Sequence, residues 1–131
     1  MILSFSKTFP WGDPTNFVDK IKDGRKIHTI RTERKGNAKW REGMDIHFAT
    51  GLRTPDYNQF ASGVCTGIQE IRIKYAIGLD EPEIHINRTP IPPRLKRQVA
   101  ENDGFDTFDQ FLRWFDEDFE GLLIHWTDRR Y

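Results

Sequence analysis

One cysteine, Cys65, is all the thiol chemistry in this chain of 131 residues. A lone thiol excludes an intrachain disulfide and a multi-cysteine zinc site, fits a reducing cytoplasm, and is expected in the core. No apolar run approaches the length of a membrane span. The apolar patch from Met1 to Phe5 is too short for a secretion signal and is followed by a turn at Pro10-Trp11-Gly12-Asp13, so a cytoplasmic protein is expected. Long linkers and internal repeats are also missing, which points to a single domain over residues 1–131. Net charge is zero, short of the basicity of a protein held mainly by phosphate contacts. The 37% hydrophobic and 31% charged residues suit a globular chain, one able to bury roughly two-thirds of its unfolded surface.

The charges that are present are segregated. Between Lys20 and Arg41 stand Lys22, Arg25, Lys26, Arg31, Arg34, Lys35 and Lys39 against only Asp23 and Glu33. Between Glu101 and Glu120 the balance reverses, with Asp103, Asp106, Asp109, Asp116, Glu117 and Asp118 facing only Arg113. A basic end suits a phosphate-bearing ligand, and an acidic helix face suits a protein partner.

Apolar periodicity predicts an α+β order. A strand over residues 2–5 precedes a short helix with Asp13 as N-cap, Pro14 in its first turn, a stripe of Phe17, Val18 and Ile21, and a stop at Gly24. Strands are expected at 27–31 and 45–50, with charged loop 33–42 between them. After loop 51–59 comes a long β-prone stretch in which Ile68, Glu70, Arg72 and Lys74 alternate with Gln69, Ile71, Ile73 and Tyr75. Gly63 and Gly67 mark a bend or bulge within it. A strand at 83–87 and a proline-rich turn lead to a helix over 94–102 ended by Gly104. Asp106 is expected to cap a second helix, whose Phe108, Phe111, Leu112 and Phe115 form a core stripe. Gly121 then opens a closing strand over 122–127, with Trp126 in the core.

The densest chemistry lies in Gly24-Arg25-Lys26-Ile27-His28-Thr29-Ile30-Arg31, where Ile27 and Ile30 supply something to bury. Lys26 offers a base, Thr29 a nucleophile or hydrogen-bonding hydroxyl, and Arg31 an anion clamp. Arg25 and His28 of the same run are candidate ligand contacts. So are Arg34, Lys35 and Arg41 for phosphate, and Trp40, Trp11 or Tyr57 as faces for a stacked base, each worth roughly 1–3 kcal/mol. Lys26 and Thr29 differ by an odd number of positions, so in a regular strand they would face opposite sides. They converge only if Lys26 lies in irregular chain after Gly24 or if a bulge intervenes. All four histidines follow an isoleucine, at His28, His47, His85 and His125, so several could share one face of a curled sheet. Their spacing lacks the short intervals of zinc motifs, and no metal or cofactor is assigned.

The run from Gly24 to Arg31 resembles the G-x-K-x-x-T-x-R signature of ASCH domains, small proteins of the PUA-like superfamily. The later Ala100-Glu101-Asn102-Asp103-Gly104-Phe105, with its phenylalanine-rich helix and closing strand, is similar to the second region of that family. The resemblance implies a small, partly open β-barrel with peripheral helices and a cleft beside the first helix. It also implies binding of RNA, nucleotides or modified nucleosides. Some members hydrolyse the acetyl amide of acetylcytidine nucleosides with a lysine, a threonine and an acidic residue, positions that fall on Lys26, Thr29 and Asp103. The family's hydrolases carry glutamate where this chain has Asp103, one methylene shorter. Proton transfer needs a heavy-atom reach of about 2.6–3.2 Å or one bridging water, and the shorter arm supplies less of it. In such an amidohydrolase Lys26, its pKa lowered by Arg25, Arg31 and burial, would deprotonate Thr29 for attack on the acyl carbon.

Overall fold

Strands outnumber helices in this protein. In the computed structural model, which describes residues 1–34, 36 and 39–131, the chain runs β1 (Ile2–Ser4), α1 (Phe17–Lys22), β2 (His28–Arg31), β3 (Asp45–Thr50), β4 (Asn58–Val64), β5 (Gly67–Lys74), β6 (Glu83–Ile86), β7 (Thr89–Pro90), α2 (Pro93–Asn102), α3 (Phe108–Trp114) and β8 (Phe119–His125). The class is α+β, mostly strands in two sheets with three helices, and no closed barrel is present among the described residues. Lys35 lies outside those residues.

The smaller sheet has the order β1-β3-β4, with β1 parallel to β3 and β4 antiparallel to it. The larger is antiparallel, in the order β2-β8-β5-β6-β7. In β5, Ile71 and Ile73 point into the core while Arg72 and Lys74 point out. In β8, Leu122 to His125 are all buried, as expected of a strand covered on both faces. β1 and β2 are outer strands of their sheets, and Arg31 Nη2 donates to the Ser4 carbonyl between them at 2.7 Å. That seam positions the site.

Turn chemistry moved several expected boundaries. Asn16, in the left-handed region and with no side-chain cap bond, occupies the N-cap position of α1, not Asp13. The Asp13 carbonyl instead accepts from the Phe9 N–H, and Pro14 bridges to Thr8. α3 is capped by Thr107, whose hydroxyl accepts from the Gln110 N–H at 3.1 Å. Asp106, the expected cap, pairs with Lys20 at 3.0 Å. The long β-prone stretch divides into β4 and β5. The break falls at Cys65-Thr66, where the chain changes sheets just before Gly67, the bend expected there; no register shift falls at Gly63, and the shift lies instead between Phe48 and Ala49 of β3. Gly63 serves a different need, since a Cβ there would stand 2.9 Å from the Phe48 ring.

One cluster of buried side chains joins both sheets and the helices. Phe111 is fully buried, with the Phe105 and Phe115 rings 5.4 and 5.0 Å away. Burying such a side chain contributes roughly 1.5–3 kcal/mol, so the expected stripe of α3 does anchor that helix. Trp126 is half-buried, edge-on to Phe48 at 4.8 Å. Cys65 is buried. No helix among the described residues is long and apolar enough to cross a membrane.

The histidines divide between the sheets. His28 and His125 are register partners of β2 and β8, both fully buried, with ring centroids 5.2 Å apart. His47 lies in β3 of the other sheet, and His85 in β6.

Candidate functional site

Lys26 reaches the site because α1 ends early. Gly24, at φ +83°, turns the chain, and the N–H groups of Arg25 and Lys26 both donate to the Lys20 carbonyl, at 2.9 and 3.0 Å. β2 begins only at His28, so Lys26 escapes the alternation that would have set it opposite Thr29. Thr29 and Arg31, two apart on β2, share a face. Asp103 arrives from the C-terminal end of α2, where the Asn102 carbonyl accepts from the Ile27 N–H at 2.9 Å and fixes the helix against this chain.

These four residues line one hollow of about 250 Å³. Its remaining wall is largely aromatic, contributed by Phe5, Phe17, Phe105, Trp114, Phe115 and Phe119, with Ser4 and Ser6 at the β1 edge. Lys26 Nζ sits 4.7 Å from the centroid of the Phe17 ring and 5.6 Å from that of Phe5. The Arg31 guanidinium lies over Phe5 at 5.1 Å. Cations over ring faces are held by the ring quadrupole, an attraction that strengthens away from water.

The electrostatics are those of a buried pair. Lys26 Nζ donates to the Asp103 carbonyl at 2.5 Å and stands 3.5 Å from Asp103 Oδ1. Burial lowers the Lys26 pKa to about 8, against the pull of Asp103 toward the charged form, with Arg31 adding a further lowering. Arg31 is itself lowered by burial. Its Nη2 is satisfied by Ser4, whereas its buried Nε has no hydrogen-bond partner among the described residues. A buried donor left bare is costly, so a ligand acceptor arriving there gains more than it would at the surface.

The other expected contacts lie elsewhere. Arg25 is exposed and pairs with Asp23 at 2.8 Å, on a shallow depression with Glu101 and Asn102. His28 packs behind the hollow, its Nδ1 3.0 Å from Asp103 Oδ1. Trp40 is a core side chain beside a separate depression with Lys39 and Ile68. Arg34 and Arg41 are exposed, as is Tyr57 just ahead of β4. Trp11 stacks on Phe9 at 4.7 Å, with Arg113 covering it at 4.4 Å. The aromatic wall is not marked in the sequence, because Phe115 falls in the helical stripe and Phe5 in the strand expected over residues 2–5, where an apolar residue is explained by burial alone. Phe105, directly after Asn102-Asp103-Gly104, was the one signal within reach.

No protein-family model, curated protein or solved structure matches the chain.

Proposed function

We propose that this protein is an ASCH-type, PUA-like domain whose two sheets form the partly open barrel of that fold, and that the hollow binds a base of RNA, a nucleotide or a modified nucleoside. One observation carries the reading: Lys26, Thr29, Arg31 and Asp103 meet at a single aromatic-walled hollow at the open seam between β1 and β2. A flat heterocycle fits an aromatic wall, and its carbonyl oxygens and ring nitrogens suit the Arg31 Nε–H and the Thr29 hydroxyl. Sites that enclose a drug-sized ligand run to about 300–1,000 Å³. A hollow of about 250 Å³ therefore takes the base and leaves sugar and phosphate at the rim. Titration with nucleosides and short RNAs at several salt concentrations tests this. Binding that weakens in Arg31→Ala and, for RNA, with rising salt is expected; no binding of any of them removes the reading.

A second reading, hydrolysis of an acylated cytidine, is favoured by the lowered Lys26 pKa. At pH 7 a lysine of pKa about 8 is neutral in roughly one molecule in ten, enough to accept the Thr29 proton as the hydroxyl oxygen attacks the acyl carbon. Asp103 would then stabilise the ammonium that forms, which returns its proton to the cytosine amine as the amide C–N bond breaks; water then cleaves the acyl ester on Thr29, releasing acetate and restoring the hydroxyl. Incubation with acetylcytidine and chromatographic detection of cytidine tests it. Turnover that survives in Lys26→Ala would remove this assignment.

A further inference from the structure

Behind the hollow, on the face of β2 opposite Thr29 and Arg31, runs a row of hydrogen bonds with every role fixed. Asn102 Nδ2 donates to the Tyr131 hydroxyl oxygen at 2.9 Å. That hydroxyl stands 2.6 Å from His28 Nε2, and His28 Nδ1 stands 3.0 Å from Asp103 Oδ1. The Asp103 carboxylate only accepts and burial keeps the imidazole neutral, so its one proton faces Oδ1; the phenol oxygen accepts from the Asn102 amide and turns its own proton toward Nε2. Nε2 is therefore bare, and the single imidazole proton sits on Nδ1, where the carboxylate accepts it. The opposite tautomer would set two lone pairs against each other at Asp103.

The Tyr131 backbone is pinned as well. Gln69 Oε1 accepts from the Tyr131 N–H at 3.1 Å, and Gln69 Nε2 donates to the Tyr131 carbonyl at 2.8 Å. The same Oε1 is 3.0 Å from His125 Nε2, so His125 carries its proton on Nε2, opposite to His28. The charged and titratable groups around His28 are Asp103 at the end of α2, Lys26 ahead of β2, His125 on β8, and Arg129 and Tyr131 beyond it.

We infer that Tyr131 and His28 are positioning residues of the hollow, acting in series to hold the Asp103 carboxylate beside Lys26. The inference rests on the reading above for the importance of Lys26 and Asp103. Its test needs no nucleoside, so its failure and a failure of binding are told apart.

Histidine-selective ¹⁵N labelling with long-range proton–nitrogen spectra reads each tautomer. His28 is expected protonated at Nδ1 and neutral at pH 7.5, with its titration below the ordinary histidine range, and His125 protonated at Nε2. Tyr131→Phe keeps the ring and removes only the donor to Nε2, so the His28 pKa rises. Because the phenyl ring keeps the packing, and with it the burial that also lowers this pKa, the rise reports the lost donor. At the site itself, ¹³Cε titration of Lys26 reads the consequence. His28→Phe removes the Nδ1–H and raises the Lys26 pKa, because the Asp103 charge is no longer shared with a second donor. His28→Asn, whose Nδ2–H can take the place of Nδ1–H, restores the wild-type titration. An Nε2–H tautomer at His28, unchanged His28 shifts in Tyr131→Phe, or a Lys26 titration that is the same in His28→Phe as in wild type would each overturn the inference. If His28→Phe fails to fold, the tautomer and the Tyr131→Phe shifts decide it.

Discussion

A Cβ atom on Gly104 would stand 3.0 Å from Cδ of Lys26 and 3.1 Å from the Phe17 ring. Gly104, at φ +96°, ends α2 in a paired-bond stop: Phe105 N–H donates to the Ala100 carbonyl at 3.1 Å and Gly104 N–H to the Glu101 carbonyl at 3.0 Å. Its own carbonyl accepts from Lys20 Nζ at 2.7 Å. The same glycine thus closes a helix and makes room for the site lysine. Gly104→Ala is expected to cost about 1–2 kcal/mol of stability from backbone strain and, if the hollow binds a nucleoside as proposed, also to weaken that binding. Gly78→Ala, at φ +88° with nothing within 4 Å, should carry a comparable strain and leave binding unchanged. Urea unfolding and titration of the two variants separate strain from displacement of Lys26.

Removing one member of the buried pair should cost more than removing both. Lys26→Met leaves the Asp103 carboxylate in the interior with His28 as its remaining side-chain partner, a change expected to destabilise by about 3–5 kcal/mol. Adding Asp103→Asn removes the stranded charge while keeping an acceptor for the His28 Nδ1–H, so the double variant should recover part of that loss. A double variant no more stable than Lys26→Met would contradict a buried ionic pair.

Acid should unfold this protein through its paired histidines. His28 is held below the ordinary histidine range by burial, and His125 is pushed down to about 3 by burial with the charges of His28 and Arg130 adding to it. Both folded pKa values lie under the unfolded value of about 6.5, so the unfolded chain takes up protons first as pH falls. Stability is unaffected above that value and erodes below it, by up to about 1.4 kcal/mol per pH unit for each histidine. For His125 the erosion continues to about pH 3. Melting temperatures between pH 8 and 4 should fall accordingly, and His125→Asn should flatten the profile.

If the hollow hydrolyses acyl-cytidine, its rate should follow the neutral form of Lys26. Acetyl release is then expected to rise about tenfold per pH unit and to level near pH 8, where Lys26 titrates. Asp103 favours the ammonium, so Asp103→Asn should move that inflection to lower pH. A rate independent of pH between 6 and 8 would exclude Lys26 as the base.

Much of the fold was legible along the chain. Alternation placed β3 at Asp45–Thr50 as observed, and the four-residue stripe placed α3, because both signals come from the period of a single element. Caps were legible only as to type. Asp106 and Thr107 can each cap a helix, and Lys20, distant in sequence, decides by drawing Asp106 into an ion pair.

For the site, the motif from Gly24 to Arg31 marked Lys26, Thr29 and Arg31 by their chemistry, and the later Asn102-Asp103-Gly104 marked the acid. The sequence by itself determined which functional groups are available, since amine, hydroxyl, guanidinium and carboxylate are properties of residue type. Only the tertiary structure decided which of them meet. Lys26 and Asp103 lie 77 positions apart and touch because α2 docks on the chain leading into β2. Trp40 and Tyr57 carry faces as suitable as those of Phe5 and Phe115, yet packing sends the first into the core and leaves the second on the surface. Such choices depend on how surfaces distant in sequence fit together, which no local period encodes.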